Sequence, residues 1–199
     1  MAIIHFRRRD TRILFENPKC RVVVPKPDYL LYEAIAQATL DPSVRLISQR
    51  AFSDELLKRL SPNGIILGRA DGNYLLVVLE QLQRRTGEED PHLADALRSS
   101  SLRLLERTAI DIKEEPVFSN VRKVWSREHY PVSLLDRLKL AAALADNGPQ
   151  SIAELKARAN PACDTLAAAC ALACADLVEL NLHVAIGPNT IVSVRNHDR

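Results

Sequence analysis

Two clusters of arginine are the residues whose type and spacing best suit a chemical task, contact with phosphate groups. They comprise Arg7, Arg8, Arg9, Arg12, Arg84 and Arg85. Guanidinium groups pair with phosphate oxygens through parallel hydrogen bonds, so such clusters are typical of proteins that touch nucleic acid. Acidic residues are interleaved at Asp10 and at 88–90, so the alternative is a solvated turn and strand end. The arginines predict weak DNA contact by the first part of the chain.

A second group with possible chemistry is a set of three cysteines in an alanine-rich segment, Cys163, Cys170 and Cys174. Their spacing puts them along one stripe of a helix, where a zinc ion would still need a fourth ligand, and only His183 is near. Free cysteine packs well as a small apolar residue, so a place in the core is favoured. With Cys20 alone elsewhere, the layout does not predict a disulfide framework and fits a reducing compartment.

Composition narrows the class of protein further. The 199 residues include 27 Lys and Arg against 25 Asp and Glu, so the net charge of +2 is too small for a histone-like binder. Aromatic residues are 5% of the chain, which argues against a base-stacking platform for single strands. No apolar run has the length of a membrane span, and the start MAIIHFRRRD does not look like a secretory signal. We therefore expect a cytoplasmic protein with no membrane partner.

The elements that must position these residues fall into two predicted domains, 1–130 and 131–199, divided where Pro131 interrupts a continuing helix. The first domain is predicted to be α/β. We expect strands at 3–6, 12–15, 21–24 and 109–112, and helices at 29–40, 54–60 and from 90 to about 107. A hairpin of strands at 65–67 and 74–79 is expected around Asp71-Gly72, a dipeptide suited to a tight turn.

The second domain has the order of a winged helix. Helices are predicted at 133–146, 151–158 and 164–176, followed by a hairpin of strands at 177–182 and 190–194. In such domains the third helix reads the major groove with Arg, Lys, Asn or Gln side chains, and 164–176 contains none of these. Sequence-specific readout is therefore not expected, and the segment suits helix packing or a protein partner.

The stretches DPSVRLISQ (41–49) and SPNGIILGRADGNYLLVVLE (61–80) resemble the amino-terminal domain of TnsA-type transposon endonucleases. The second half is similar to the winged-helix domain with which that family ends. The resemblance implies a restriction-endonuclease-like fold, a mixed sheet flanked by helices with a Pro-Asp … Glu/Gln-x-Lys core, followed by a small winged-helix domain. It also implies protein contacts of the second domain within a transposition machinery.

Family catalysis implies Mg²⁺ held by hard oxygen ligands on adjacent strands, with a lysine beside them. Carried onto this chain, the Pro-Asp aspartate falls on Asn63, the Glu/Gln on Val78 and the lysine on Glu80. The helix glutamate falls on Leu31, with Glu33 two positions out of register. Every catalytic position is altered, so the resemblance predicts a degenerate nuclease with no metal or other cofactor.

The leading hypothesis is a non-catalytic, DNA-associated scaffold that engages a transposase, an integrase or a regulatory ATPase. One alternative is a divergent active endonuclease, in which Asp71 and Glu80, or Glu33 and Glu80, would hold Mg²⁺. Another alternative is a winged-helix transcription regulator whose first domain serves as a sensor or dimerisation unit.

Overall fold

The computed structural model describes residues 12–25, 28–81 and 89–195, and its first part is built on a six-stranded mixed sheet. The strands are β1 (Arg12–Asn17), β2 (Cys20–Pro25), β3 (Val44–Gln49), β4 (Ile65–Arg69), β5 (Gly72–Leu79) and β6 (Arg103–Thr108). They lie in the sheet in chain order. The pairs β2–β3 and β5–β6 are parallel and the other three are antiparallel.

Helices cover both faces of this sheet. On one face lie α1 (Tyr29–Leu40), α4 (Ala109–Ile112) and α5 (Val117–Trp125). On the other lie α2 (Glu55–Leu60) and α3 (Glu89–Ser99). Parallel neighbours need a crossover connection, and α1 and α3 supply it between β2 and β3 and between β5 and β6. The predicted α/β class, a mixed sheet flanked by helices, is confirmed.

The rest of the chain forms a smaller unit that contains a second sheet. Its elements are α6 (Leu134–Asn147), β7 (Gln150–Ser151), α7 (Ile152–Ala159), α8 (Thr165–Cys174), β8 (Val178–Leu180) and β9 (Ile191–Val194). The sheet order is β7-β9-β8, antiparallel throughout. The core of this unit also includes Val124 of α5, and Trp125 packs against both it and the core on the α1 face of the large sheet.

Local signals account for most of the helix boundaries. Asp28 accepts a hydrogen bond from the Leu31 N–H at 3.0 Å and caps α1, as expected for a residue preceding a helix. Ser151 and Glu154 form a reciprocal capping box at the start of α7. The strands predicted at 12–15 and 21–24, the hairpin at Asp71-Gly72 and the helices of the second part are confirmed, whereas 3–6 lies outside the described residues.

Two predictions for the end of the first part are wrong. The helix expected from 90 to about 107 ends at Ser99, and a turn with Ser101 at a φ of 55° leads into β6. The strand expected at 109–112 is helix α4, which Thr108 and Asp111 cap reciprocally. Arg107 therefore lies on strand β6.

Candidate functional site

Three positions onto which the resemblance carries catalytic residues lie at one edge of the large sheet, which we term the upper edge. Gln49 pairs with Ile65 and Leu79 pairs with Thr108, so β3, β5 and β6 end at this edge and β4 begins there. Asn63 precedes β4, Val78 is near the end of β5, and Glu80 follows β5. The hairpin thus brings these three positions to the same edge of the sheet.

The side chains at these three positions have different surroundings. Val78 is half-buried and packs against the core between the sheet and α1, so it presents hydrocarbon. Asn63 is half-buried, and its backbone carbonyl accepts a hydrogen bond from Gln49 Nε2 at 3.1 Å. Glu80 is exposed to solvent beyond the strand. A divalent ion at this place would find an amide oxygen and one carboxylate, with no ligand atom from Val78.

Helix α1 contributes Leu31 and Glu33. Leu31 is 5% exposed and belongs to the core, so it has no polar function. The Glu33 carboxylate lies 3.8 Å from Arg122 Nε on α5. Partial burial raises the pKa of Glu33, and the charge of Arg122 opposes that effect. The pair links α1 to α5.

Asp71 lies at the opposite, lower edge of the sheet, in the turn between β4 and β5. Strand β5 has eight residues, which span roughly 26 Å and separate Asp71 from Glu80. The alternative in which Asp71 and Glu80 together hold Mg²⁺ is therefore wrong. Asp71 instead accepts hydrogen bonds from the Tyr74 hydroxyl at 2.5 Å and from Arg103 Nη1 at 3.1 Å. The bond from Tyr74 is the main cause of the lowered pKa of Asp71.

The arginines predicted to contact DNA are largely beyond what the structure describes. Arg7, Arg8, Arg9, Arg84 and Arg85 lie outside the described residues, as does the side chain of Arg12. Arg12 begins β1 opposite Pro25, at the upper edge, and β5 ends at that edge shortly before 84 and 85. Both clusters are therefore joined by short segments to the edge that carries Asn63, Val78 and Glu80.

A cleft of about 500 Å³ separates the large sheet from the β8–β9 hairpin, and no feature of the sequence predicts it. Its floor is apolar and includes Leu67, Leu76, Leu105, Val117 and Val121. Its polar lining comprises Gln37, Asp41, Arg69, Arg107, Asp111, Glu114, Glu179, Asn181, His183 and Ser193. Both arginines in the lining are already paired within the protein, as the contacts of each show.

Gln37 of α1 organises one end of this cleft. It is 8% exposed, its Nε2 donates to the Ile112 carbonyl at 2.5 Å, and its Oε1 accepts from Arg107 Nη2 at 3.0 Å. At the other end, Arg69 Nη2 lies 3.3 Å from Asp41 Oδ2. These contacts join α1 to β4, to β6 and to α4, so they stabilise the cleft walls. Sequence periodicity carries no signal for such long-range pairs.

Charged groups at the junction of the two units are paired, with the two basic side chains buried and the two acidic ones half-buried. Lys19 Nζ, in a side chain 1% exposed, lies 3.2 Å from Asp176 Oδ1 and donates to the carbonyls of Thr39 and Asp41. Arg195, 5% exposed, lies 3.4 Å from both Asp176 and Glu179. Burial lowers the pKa of Lys19, and Asp176 opposes that effect. We refer to Lys19, Asp176, Glu179 and Arg195 as the junction cluster.

Helix α8 faces inward, and the segment between β8 and β9 is hydrogen-bonded to α5. Every residue of α8 except the half-buried Leu166 is buried, and the helix packs against α1, α5 and α7. In the β8–β9 segment, the carbonyls of Leu182 and Val184 accept hydrogen bonds from Asn120 Nδ2, each at 2.8 Å. Lys123 Nζ donates to the Ile186 carbonyl at 2.8 Å. Helix packing, one of the two roles predicted for 164–176, is confirmed.

Within the described ranges, no three His, Cys, Asp or Glu side chains are close enough to hold a metal ion. Cys170 and Cys174 are buried, as predicted for core residues, and Cys163 is half-buried. No described helix has the length and apolarity needed to cross a bilayer. No known protein family and no curated protein matches this chain.

Proposed function

We propose that the protein is a non-catalytic scaffold of the TnsA type that binds DNA weakly through its first domain and a protein partner through its second. One observation carries the proposal. The β4–β5 hairpin brings Asn63, Val78 and Glu80 to one sheet edge, and the middle position is hydrocarbon packed into the core. A shared edge suits the resemblance, whereas Val78 supplies no oxygen to Mg²⁺ and Glu80 stands in place of the lysine.

The second unit supports the winged-helix part of the proposal. Its element order of helix, short strand, two helices and two strands, with β9 between β7 and β8, fits a winged-helix domain. A DNA-reading winged helix needs its third helix exposed, whereas α8 is buried against α1 and α5. This burial disfavours the alternative of a transcription regulator that reads sequence through this helix.

The arginine clusters support DNA contact at the upper edge. Arg7 to Arg9 precede a strand that begins there, and Arg84 and Arg85 follow a strand that ends there. Phosphate contacts of this kind give affinity without sequence preference and a strong dependence on salt. The transposase, integrase or regulatory ATPase partner would then be positioned on DNA by the scaffold.

The DNA contact is tested by fluorescence anisotropy with a labelled duplex of arbitrary sequence, between about 50 mM and about 200 mM salt. We expect Arg84→Ala/Arg85→Ala to weaken binding and to lower the salt slope by about two, because each phosphate contact adds about one. The double variant Arg98→Ala/Lys156→Ala removes the same charge from two exposed helix positions and is the matched control. An equal loss of DNA affinity in the two double variants would show that net charge, and not this cluster, governs binding.

A further inference from the structure

Helix α6 is apolar on the face that points to solvent. Leu134, Leu135 and Leu138 are 74%, 63% and 59% exposed, and Ala141, Ala142 and Ala145 are exposed as well. The opposite face, with Asp136, Leu140, Ala143 and Leu144, is buried in the second unit. A surface helix normally carries polar residues outward, so an outward apolar face of this length marks an interaction site.

The spacing along this face suits a second helix. Leu134, Leu138, Ala141 and Ala145 are four, three and four residues apart, the interval of a coiled-coil seam, and we call these four residues the outer seam. Leucine occupies the first half of the outer seam and alanine the second half. Arg137, Lys139 and Asp146 lie only at its flanks, so the outer seam itself carries no charge.

We infer that the outer seam pairs with the same seam of a second copy of this chain, with the two helices antiparallel about a two-fold axis. In this arrangement Leu134 faces the partner's Ala145, and Leu138 faces the partner's Ala141. Each large side chain meets a small one, so the helix axes stay evenly spaced along the contact. A parallel pair would set leucine against leucine at one end and alanine against alanine at the other, and the helices would splay.

The face is small, which makes a weak association the expectation. Helix α6 has 14 residues and is about 21 Å long, so a pair of such helices buries less than the roughly 800 Å² per partner of a standard interface. The dimer is therefore expected to be weak, with a dissociation constant in the micromolar range or above. The inference rests on α6 alone and stands whether or not the protein binds DNA.

Sedimentation velocity of the full chain from about 1 µM to about 500 µM tests this pairing. We expect the wild type to pass from monomer to dimer, and Leu138→Glu to weaken the association at least about tenfold. Ile110→Glu changes a side chain that is 82% exposed on α4 and is the control expected to dimerise normally. Leu138 is largely exposed, so circular dichroism should show an unchanged fold for its variant.

A compensating variant reports the direction of the helices. Leu138→Glu/Ala141→Lys sets opposite charges against each other in the antiparallel pair, but like charges in a parallel pair. We expect the double variant to dimerise at least about tenfold more tightly than Leu138→Glu alone. A wild type that stays monomeric throughout, including one that binds only a different protein through α6, overturns the inference. Equal weakening by Ile110→Glu, or a double variant weaker than the single one, also overturns it.

Discussion

Val78 occupies a position where the resemblance places a metal ligand, and in this protein its side chain packs against the core. Its side chain contributes to the apolar core between the sheet and α1, and replacing it with an acid would place a charge beside that core. The position is thus used for stability in this protein. Glu80 remains exposed beyond the strand, and Glu33 is engaged with Arg122.

Three buried thiols make a residue-scale contribution to the pH dependence of stability. Burial raises the pKa of Cys20 and Cys174 to about 12 and that of Cys170 to about 11, from an ordinary value of 9.0. Above pH 9 the unfolded chain loses these protons while the folded chain keeps them. The free energy of unfolding therefore includes a contribution that is complete below pH 9 and is lost as the pH rises towards 11–12.

We expect Cys170→Ala/Cys174→Ala to flatten this loss. Between pH 8.5 and pH 10 each buried thiol should lower the free energy of unfolding by about 1 kcal/mol, so the double variant should lose about 2 kcal/mol less than the wild type. Urea unfolding with a reducing agent at both pH values measures the difference, and ionisations common to both proteins cancel. Wild-type and variant curves that run parallel with pH would contradict the account.

At the scale of elements, Gly64 sets the approach of β4 to β3 beside Asn63. Its φ is +56°, and a Cβ atom there would lie 1.8 Å from the backbone oxygen of Arg50. The Arg50 N–H also donates to the Gly64 carbonyl at 2.9 Å, so the two chains are held at this distance. No side chain fits without a shift of the backbone.

Gly64→Ala should lower the free energy of unfolding by about 3 kcal/mol, because it combines a left-handed conformation with a backbone clash. Gly187→Ala is the control, since no atom lies within 4 Å of its added Cβ, and it should change stability by less than about 0.5 kcal/mol. Urea denaturation of both variants makes the comparison. If Gly64→Ala and Gly187→Ala had similar free energies of unfolding, the backbone between β3 and β4 would be able to shift at no cost.

Local signals in the sequence predicted the elements that depend on local chemistry. Asp28 and the Ser151–Glu154 capping box fix helix starts, and Asp71-Gly72 makes the hairpin turn. The helix predicted from 90 to about 107 is right up to Ser99 and wrong beyond it, because Leu93, Leu97 and Leu104 recur at a helical interval. Strand β6 owes its conformation to pairing with the distant β5. The same non-local pairing ends at Thr108, whose side chain then caps α4.

The candidate site could be predicted only in part, because some of its features are local in the sequence and others join distant residues. The order of Asn63, Val78 and Glu80 around a hairpin can be read from the sequence, and the structure brings them to one edge. The contacts of Gln37 with Arg107 and of Lys19 with Asp176 join residues far apart in the chain, and no local pattern indicates them. The burial of α8 is likewise decided by its packing against α1 and α5.

At the scale of the whole molecule, the junction cluster and the β8–β9 segment tie the second unit to the first. Arg195 donates to the carbonyls of Pro42 and Val44 at 2.9 and 3.0 Å, in addition to its ion pairs. Buried charges of this kind cost much free energy when unpaired, so the junction is specific in its geometry. In this arrangement α8 is buried, whereas much of the β8–β9 segment stays exposed.

The central claim, DNA association without cleavage, is tested most directly by incubating supercoiled plasmid with the full chain and Mg²⁺ or Mn²⁺, followed by gel electrophoresis before and after protein removal. The account predicts a retarded plasmid that runs as intact supercoiled DNA once the protein is removed, with Glu80→Ala behaving as the wild type. Nicked or linear plasmid produced by the wild type and abolished by Glu80→Ala would contradict it.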